Sequence, residues 1–541
     1  GDLTTDGDLD IENGEVGVDG DADIGGSVTV GDSENDTEGS LVVGGDLDIS
    51  GDLDIENGDV SLGGDDNHIG GSVTVGDAEN GTSGSLEADG NLDIDGDLNI
   101  ENGDVKMEGD NNRVGGDLHL GNEENGTEGN LEIDGSLTVE GDVDLSQGSG
   151  SITGDGELHI GEDGSLKMGD NVDLDGPSLT VDGELDMSGV KDPTLGGLGG
   201  DGRVNAGEDA DITIEGTGGD FSGTLEGSGR ISVTGDGTNQ SFTDVLAPDF
   251  DLAVKNGGHL SLTESTFGSV EAKKDGQLEF RAKGTGPADN GGANVILTGD
   301  LIFRNGSTTT LSFNMNADKL WDAQEARMVS VDGTIYIERE AQFVLSSVQT
   351  GKEMPAGRKG DLTNILVMES GSISVADEFP EEMSAGIDTQ NSRAANSESL
   401  KVKLGGLFGL FYENPTLTVQ DNEVRMSATY RENAPGNNAG GDTGFLEETT
   451  KESGGGSTSQ AGAGLLDHAD LESDSTLSEV GNALGNMLAS GNHAGAAGTM
   501  AAVAGSTVTS LGAAQRDATR GELQRLRRLA GVRLPQVSGE S

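Results

Sequence analysis

GDLDIENGEV at Gly7–Val16 decides the fold, because it returns as GDLDIENGDV at Gly51–Val60 and as GDLNIENGDV at Gly96–Val105. A second block keeps pace: GGSVTVGDSENDTEGSL from Gly25, GGSVTVGDAENGTSGSL from Gly70 and GGDLHLGNEENGTEGNL from Gly115. The repeat of 44 or 45 residues is the mark of a stacked architecture in which each unit buries its apolar edge against its neighbours. Inside a repeat the aliphatics alternate at period two: Leu9 and Ile11, Val16 and Val18, Val28 and Val30, Leu41 and Val43. Alternation of this kind puts one face of a short strand inward. Gly, Asn-Gly and Asp-Gly fall every few residues and supply tight corners. Strands of three to five residues between such corners predict the coils of a parallel β-helix, with two rungs of roughly 20 to 24 residues in each repeat.

Composition agrees. Gly is 93 of 541 residues, aromatics are 3%, and 100 Asp and Glu against 30 Lys and Arg give a net charge of -70. The first Lys or Arg is Lys106 and the first aromatic Phe221, so the N-terminal part has no rings to build an ordinary globular core. Such a charge opposes binding to nucleic acid or anionic lipid, which needs clustered Lys and Arg. Regularly spaced aliphatics set the chain apart from disordered acidic sequences. Cysteine is absent, which excludes disulfides and thiolate metal sites. No apolar run reaches the roughly 20 residues that span a bilayer. The chain starts at Gly1 without an apolar leader, and the expectation is an export signal removed or not included.

The expected organisation is regular Gly/Asp-rich coils over 1–200, irregular coils over 201–312 where Phe221 and Phe242 enter the interior, and a β end cap over 313–434 that holds Phe313, Trp321, Tyr336, Phe343, Phe408, Phe411, Tyr412 and Tyr430. A Gly/Ser-rich linker follows at 435–464. Over 465–541 the period changes to that of a helix: Leu477, Val480, Leu484, Met487 and Leu488 share a face behind a Thr476/Glu479 capping box, and the tail ends in arginines from Arg516 to Arg533.

This layout resembles the autotransporters of the type V secretion system of Gram-negative bacteria. The resemblance rests on the order of parts: a glycine-rich β-helical passenger, an autochaperone-like end in LFYENPTLTVQDNEVRMSATY at Leu410–Tyr430, and an Ala/Gly-rich helical segment, AGTMAAVAGSTVTSLGAAQRDATRGELQRLRR, at Ala497–Arg528. It implies an all-β, right-handed parallel β-helix (solenoid) with a C-terminal α-helical segment. It also implies an outer-membrane barrel in cis, of which the 541 residues contain no strands, and display outside the cell or on the outer-membrane surface, where the passenger meets a ligand on a host or neighbouring cell. The expected function is a structural and adhesive stack acting by multivalent contact. The alternative is a self-assembling or calcium-loaded β-helical scaffold similar to the bactofilin polymers.

Candidate chemistry is sparse. In-register stacking would set Asp8, Asp10, Asp52, Asp54, Asp93, Asp95 and Asp97 in rows about 4.8 Å apart. Neighbouring charges at that distance repel by about 0.9 kcal/mol in water, and this makes the rows diffuse sites for Ca²⁺ or Mg²⁺. No resident cofactor is expected. GGDDNHIGG at Gly63–Gly71 lacks the spacing of the calcium-binding nonapeptide. His68, His119, His159, His259, His468 and His493 are scattered, without HExxH spacing. Asp32-Ser33 in GDSEN resembles the nucleophile segment of autotransporter serine proteases only superficially, since the glycines after the serine are missing and GxSxG is absent, so Ser33 is expected to be a turn residue. Paired carboxylates suit glycoside chemistry but carry no specificity where acids are this common. Three sequons, at Asn35, Asn80 and Asn125, occupy one turn in successive repeats, which repeat descent explains. The expectation is a protein without catalytic residues.

Overall fold

The computed structural model describes residues 1–122, 124–145, 149–169, 172–216, 218–283, 295–314, 325–348, 360–380, 393–394 and 396–431. Trp321, the linker at 435–464 and the helical segment at 465–541 lie outside the described residues. The fold is an all-β parallel β-solenoid whose one described helix is the single turn Gly406–Phe411. The chain divides into two compact units, the first spanning Gly1–Ser261 and Ser265–Gln277, the second Leu262–Glu264 and Leu278 onward.

In the first unit three short strands make one turn. Leu3–Thr5, Leu9–Ile11 and Gly14–Val18 form turn 1, and each pairs in parallel with its counterpart in turn 2, Ala22–Ile24, Val28–Val30 and Gly39–Val43. The three faces grow as separate parallel sheets of ten, eleven and eight strands. On the second face Leu9, Val28, Leu53, Val73, Leu98, Leu118, Val143 and Leu166 stack in one file. From Val28 onward these side chains are fully buried, so the core is a column of aliphatics with no aromatic ring.

Register confirms two turns per 45-residue repeat, and the two differ in length. On the first face Leu3 pairs with Ala22 and Ala22 with Leu47; beyond them Ile49 pairs with Ile69, Ile69 with Ile94, Ile94 with Val114 and Val114 with Val139. An advance of about 20 residues therefore alternates with one of 25. Residues one repeat apart sit two turns apart, not one.

Asn67 and Asn112, one repeat apart, fill inward positions that would otherwise strand backbone polar groups. Each side-chain oxygen accepts a backbone N–H, from Leu47 and Leu92, and each amide donates to two carbonyls. Further along, Phe221, Phe242 and Phe267 stack edge to face inside, as the irregular-coil reading expected of the first two.

In the second unit Leu362–Ala376 still runs parallel to Glu325–Glu338, but Glu423–Tyr430 and Tyr412–Gln420 add antiparallel strands. The parallel ladder thus ends in an antiparallel hairpin packed by aromatics. Phe408 stacks on Tyr412 at 4.6 Å and Tyr412 meets Tyr430 edge-on at 5.5 Å. The nearly buried pair Arg304 and Glu338, 3.3 Å apart, is completed by the Asn305 and Phe379 backbone N–H groups, which donate to Glu338.

Candidate functional site

The acidic candidates occupy three different places. Asp8, Asp52 and Asp97 lie at the corner that opens the second face, where a Gly-Asp or Gly-Ser pair recurs in each of the first eight turns: Gly7-Asp8, Gly26-Ser27, Gly51-Asp52, Gly71-Ser72, Gly96-Asp97, Gly116-Asp117, Gly141-Asp142 and Gly164-Ser165. Each side chain accepts the backbone N–H of its counterpart one turn on: Ser27 N–H to Asp8 at 3.0 Å, Asp52 to Ser27 at 3.1 Å, Ser72 to Asp52 at 2.8 Å, Asp97 to Ser72 at 3.1 Å and Asp117 to Asp97 at 2.9 Å. The glycine ahead of each makes room. A Cβ on Gly71 would strike the Asp52 carboxylate and the Gly51 backbone. These carboxylates are corner caps that satisfy backbone donors.

Asp10 and Asp54 point outward from the second face in a file that reads Asp10, Thr29, Asp54, Thr74, Asn99, His119. The expected carboxylate rows at one-turn spacing are therefore corrected, since hydroxyls and amides alternate with the acids. Asp54 still feels crowding: burial first, then Asp52 and Glu56, raise its pKa above the ordinary value. Acids do stack turn on turn elsewhere: Asp23 on Asp48 on the first face, and Asp21, Asp46 and Asp66 and then Asp97, Asp117 and Asp142 at two corners.

Asp93 and Asp95 belong to the first face, in the file Asp48, His68, Asp93, Arg113, Thr138, His159. Arg113 reaches Asp93 at 3.0 Å, Asp95 at 3.4 Å and Glu140 at 3.9 Å. Its hydrogen bond to Asp93 is the main cause that raises its pKa. His68 lies 3.1 Å from Asp48 and 3.3 Å from Asp95. A groove of about 610 Å³ runs along this file, lined by polar and charged residues, with Asp66, Asn91 and Asn111 on one side and Ser136, Thr138 and Glu140 farther along. Sequence reasoning missed His68 and Arg113 as members of one cluster. The signal was present, for both fall opposite an aspartate 20 residues earlier.

No family model matches the chain, and no curated protein does.

The longer turns owe their length to a protruding hairpin. Asp32 and Thr37, Asp77 and Thr82, and Asn122 and Thr127 each exchange both backbone hydrogen bonds, at 3.0 to 3.2 Å. The fifth residue is left-handed, with φ of 52° at Asp36, 74° at Gly81 and 67° at Gly126, a conformation only Gly, Asn and Asp tolerate easily. Thr37, Thr82 and Thr127 each donate to a carbonyl of the preceding turn, Glu12, Glu56 and Glu101, at 2.6 Å. The sequon threonines are thus structural ties. Ser33 is buried, and its hydroxyl lies 2.7 Å from Asp77 and 3.1 Å from Glu56. Among the described residues its partners are Glu56, Asp77 and Asn80. His159 meets Asp182 at 2.8 Å and His259 meets Asn239 at 2.8 Å; His468 and His493 lie outside the described residues.

Among the described residues, Glu87, Asp89 and Glu108 are the one group of three acids close enough to share a cation. All three are exposed, and Lys106 already sits 2.7 Å from Glu108.

Proposed function

We propose that the chain is the passenger of an autotransporter-type system, a structural and adhesive β-helical stack shown at the cell surface and acting by multivalent contact. The observation that carries this is the row of three hairpins, at 32–37, 77–82 and 122–127, leaving the same corner of every second turn. Similar projections at fixed spacing turn a weak single contact into an additive one. On this reading no residue is catalytic, the partner is a ligand on a host or neighbouring cell, and an outer-membrane barrel encoded in the same frame holds the stack.

The test uses beads coated with the full chain at graded density on cultured epithelial monolayers. Adherence should rise steeply with density, and a variant with all three hairpins replaced by short connections should lose roughly tenfold or more. Equal adherence of the two proteins overturns the adhesive reading. Filaments of the isolated chain in negative stain would favour the self-assembling scaffold instead.

A further inference from the structure

His68 stands in turn 4, with Asp48 below it in turn 3 and Asp93 above it in turn 5. Its Nδ1 lies 3.1 Å from a carboxylate oxygen of Asp48 and its Nε2 3.3 Å from one of Asp95, at the corner after the turn-5 strand. A neutral imidazole has one N–H, so in either tautomer the other nitrogen would turn a lone pair toward a carboxylate. Only the imidazolium donates to both. The ring then joins turn 3 to turn 5 across its own turn.

The other charged groups at this spot act in the same direction or stand aside. Asp66 shares the strand of His68, Asp93 faces it in register, and Asp23 stacks beneath Asp48. Arg113, in turn 6, faces the other oxygen of Asp95 at 3.4 Å and Asp93 at 3.0 Å. Arg113 is itself a permanent tie, from Asp93 and Asp95 in turn 5 to Glu140 in turn 7. Lys106 does likewise on the third face with Glu108, Glu132 and Asp134. Those two are the only Lys or Arg in the first 166 residues. Toward the N-terminus from them, His68 is the one side chain that can tie turns together as a cation.

We propose that His68 is a proton-operated staple across turns 3 to 5, closed in mildly acidic surroundings and open in alkaline ones.

The hydrogen bond to Asp48 raises the imidazole pKa most, burial opposes it, and Asp95 adds to the rise. Since the folded value lies above the unfolded one, the staple contributes fully below the unfolded value of 6.5 and is lost as pH rises through the folded value.

The experiment uses the full chain and two readouts. The His68 ring resonance, identified by its loss in H68Q, is titrated by NMR, and amide-exchange protection factors are measured for peptides covering 47–69 and 91–95 at about pH 5.5 and about pH 8.5. The ring should titrate above the ordinary histidine value. Wild-type protection should be higher at the acid pH by up to about fivefold, the range of one exposed ion pair. H68Q should lose that difference and H68R should hold the acid-side protection at both values. A ring that titrates at or below the ordinary value, or an H68Q profile that follows the wild type, overturns the proposal.

Discussion

At the scale of the residue, the corner pair Gly-Asp or Gly-Ser does more for the fold than its size suggests. A chain that climbs about 4.8 Å per turn brings backbone onto backbone at each corner, and the amide at the start of each strand needs an acceptor. The aspartate or serine beneath supplies it, and the glycine above leaves the space that side chain occupies. Gly71→Ala should therefore cost about 1–3 kcal/mol, because its Cβ meets the Asp52 carboxylate and the fixed backbone of Gly51. Gly7→Ala, the same substitution at the same corner with nothing within 4 Å of the new Cβ, should change stability by less than about 0.5 kcal/mol. Denaturant titration of the two variants checks this, and equal losses would mean that glycine serves the corner through backbone freedom and not through room. The same geometry explains why Asp8, Asp52 and Asp97 are poor cation ligands. An oxygen of each is already committed to a backbone N–H of the next turn.

At the scale of the element, a 20-residue turn and a 25-residue turn differ by a connection six residues longer at the hairpin corner, less one residue at the corner after the third face. Glu56-Asn57 connects the second and third faces in the shorter turn, and Gly76–Ser83 does so in the longer. Replacing Gly76–Ser83 by Glu-Asn should leave the far-UV circular dichroism unchanged and move the melting temperature by no more than about 3 °C, since the fold already closes this corner both ways. A loss of cooperative melting would show that the hairpin sets the register. Much of this was legible in the sequence: period two in LDI and VTV gave the strands, the 45-residue offset gave two turns, and Asn-Gly gave the corners. The one-turn acid rows were misplaced because repeat copies such as Asp10 and Asp54 lie two turns apart, with Thr29 between them. The antiparallel ending at Tyr412–Tyr430 was hidden for a different reason. Alternation in LTVQ and EVRMSATY is the same whichever way the neighbouring strand runs. The cluster of His68, Arg113, Asp48 and Asp95 escaped because its members meet only once the alternating turn lengths are known.

At the scale of the whole molecule, a net charge of -70 must act through the sum of many weak repulsions. Some acids stack in successive turns, as Asp97, Asp117 and Asp142 do, whereas repeat copies such as Asp10 and Asp54 lie two turns, or roughly 9.6 Å, apart. That is beyond the Debye length of about 8 Å at physiological salt but well inside the roughly 30 Å at 0.01 M. The stack should therefore be destabilised by dilution of salt without needing any bound ion. Raising sodium chloride from about 10 mM to about 150 mM should raise the melting temperature by several degrees, and at fixed ionic strength EDTA should leave it unchanged. The competing account is a resident cation at Glu87, Asp89 and Glu108, which would make EDTA lower the melting temperature in wild type and have no effect in Glu108→Gln. Lys106 argues against it, since its ammonium holds Glu108 at 2.7 Å and also approaches Glu132 and Asp134. An EDTA-sensitive melt that Glu108→Gln abolishes would replace diffuse screening by a specific ion as the counterweight to this charge.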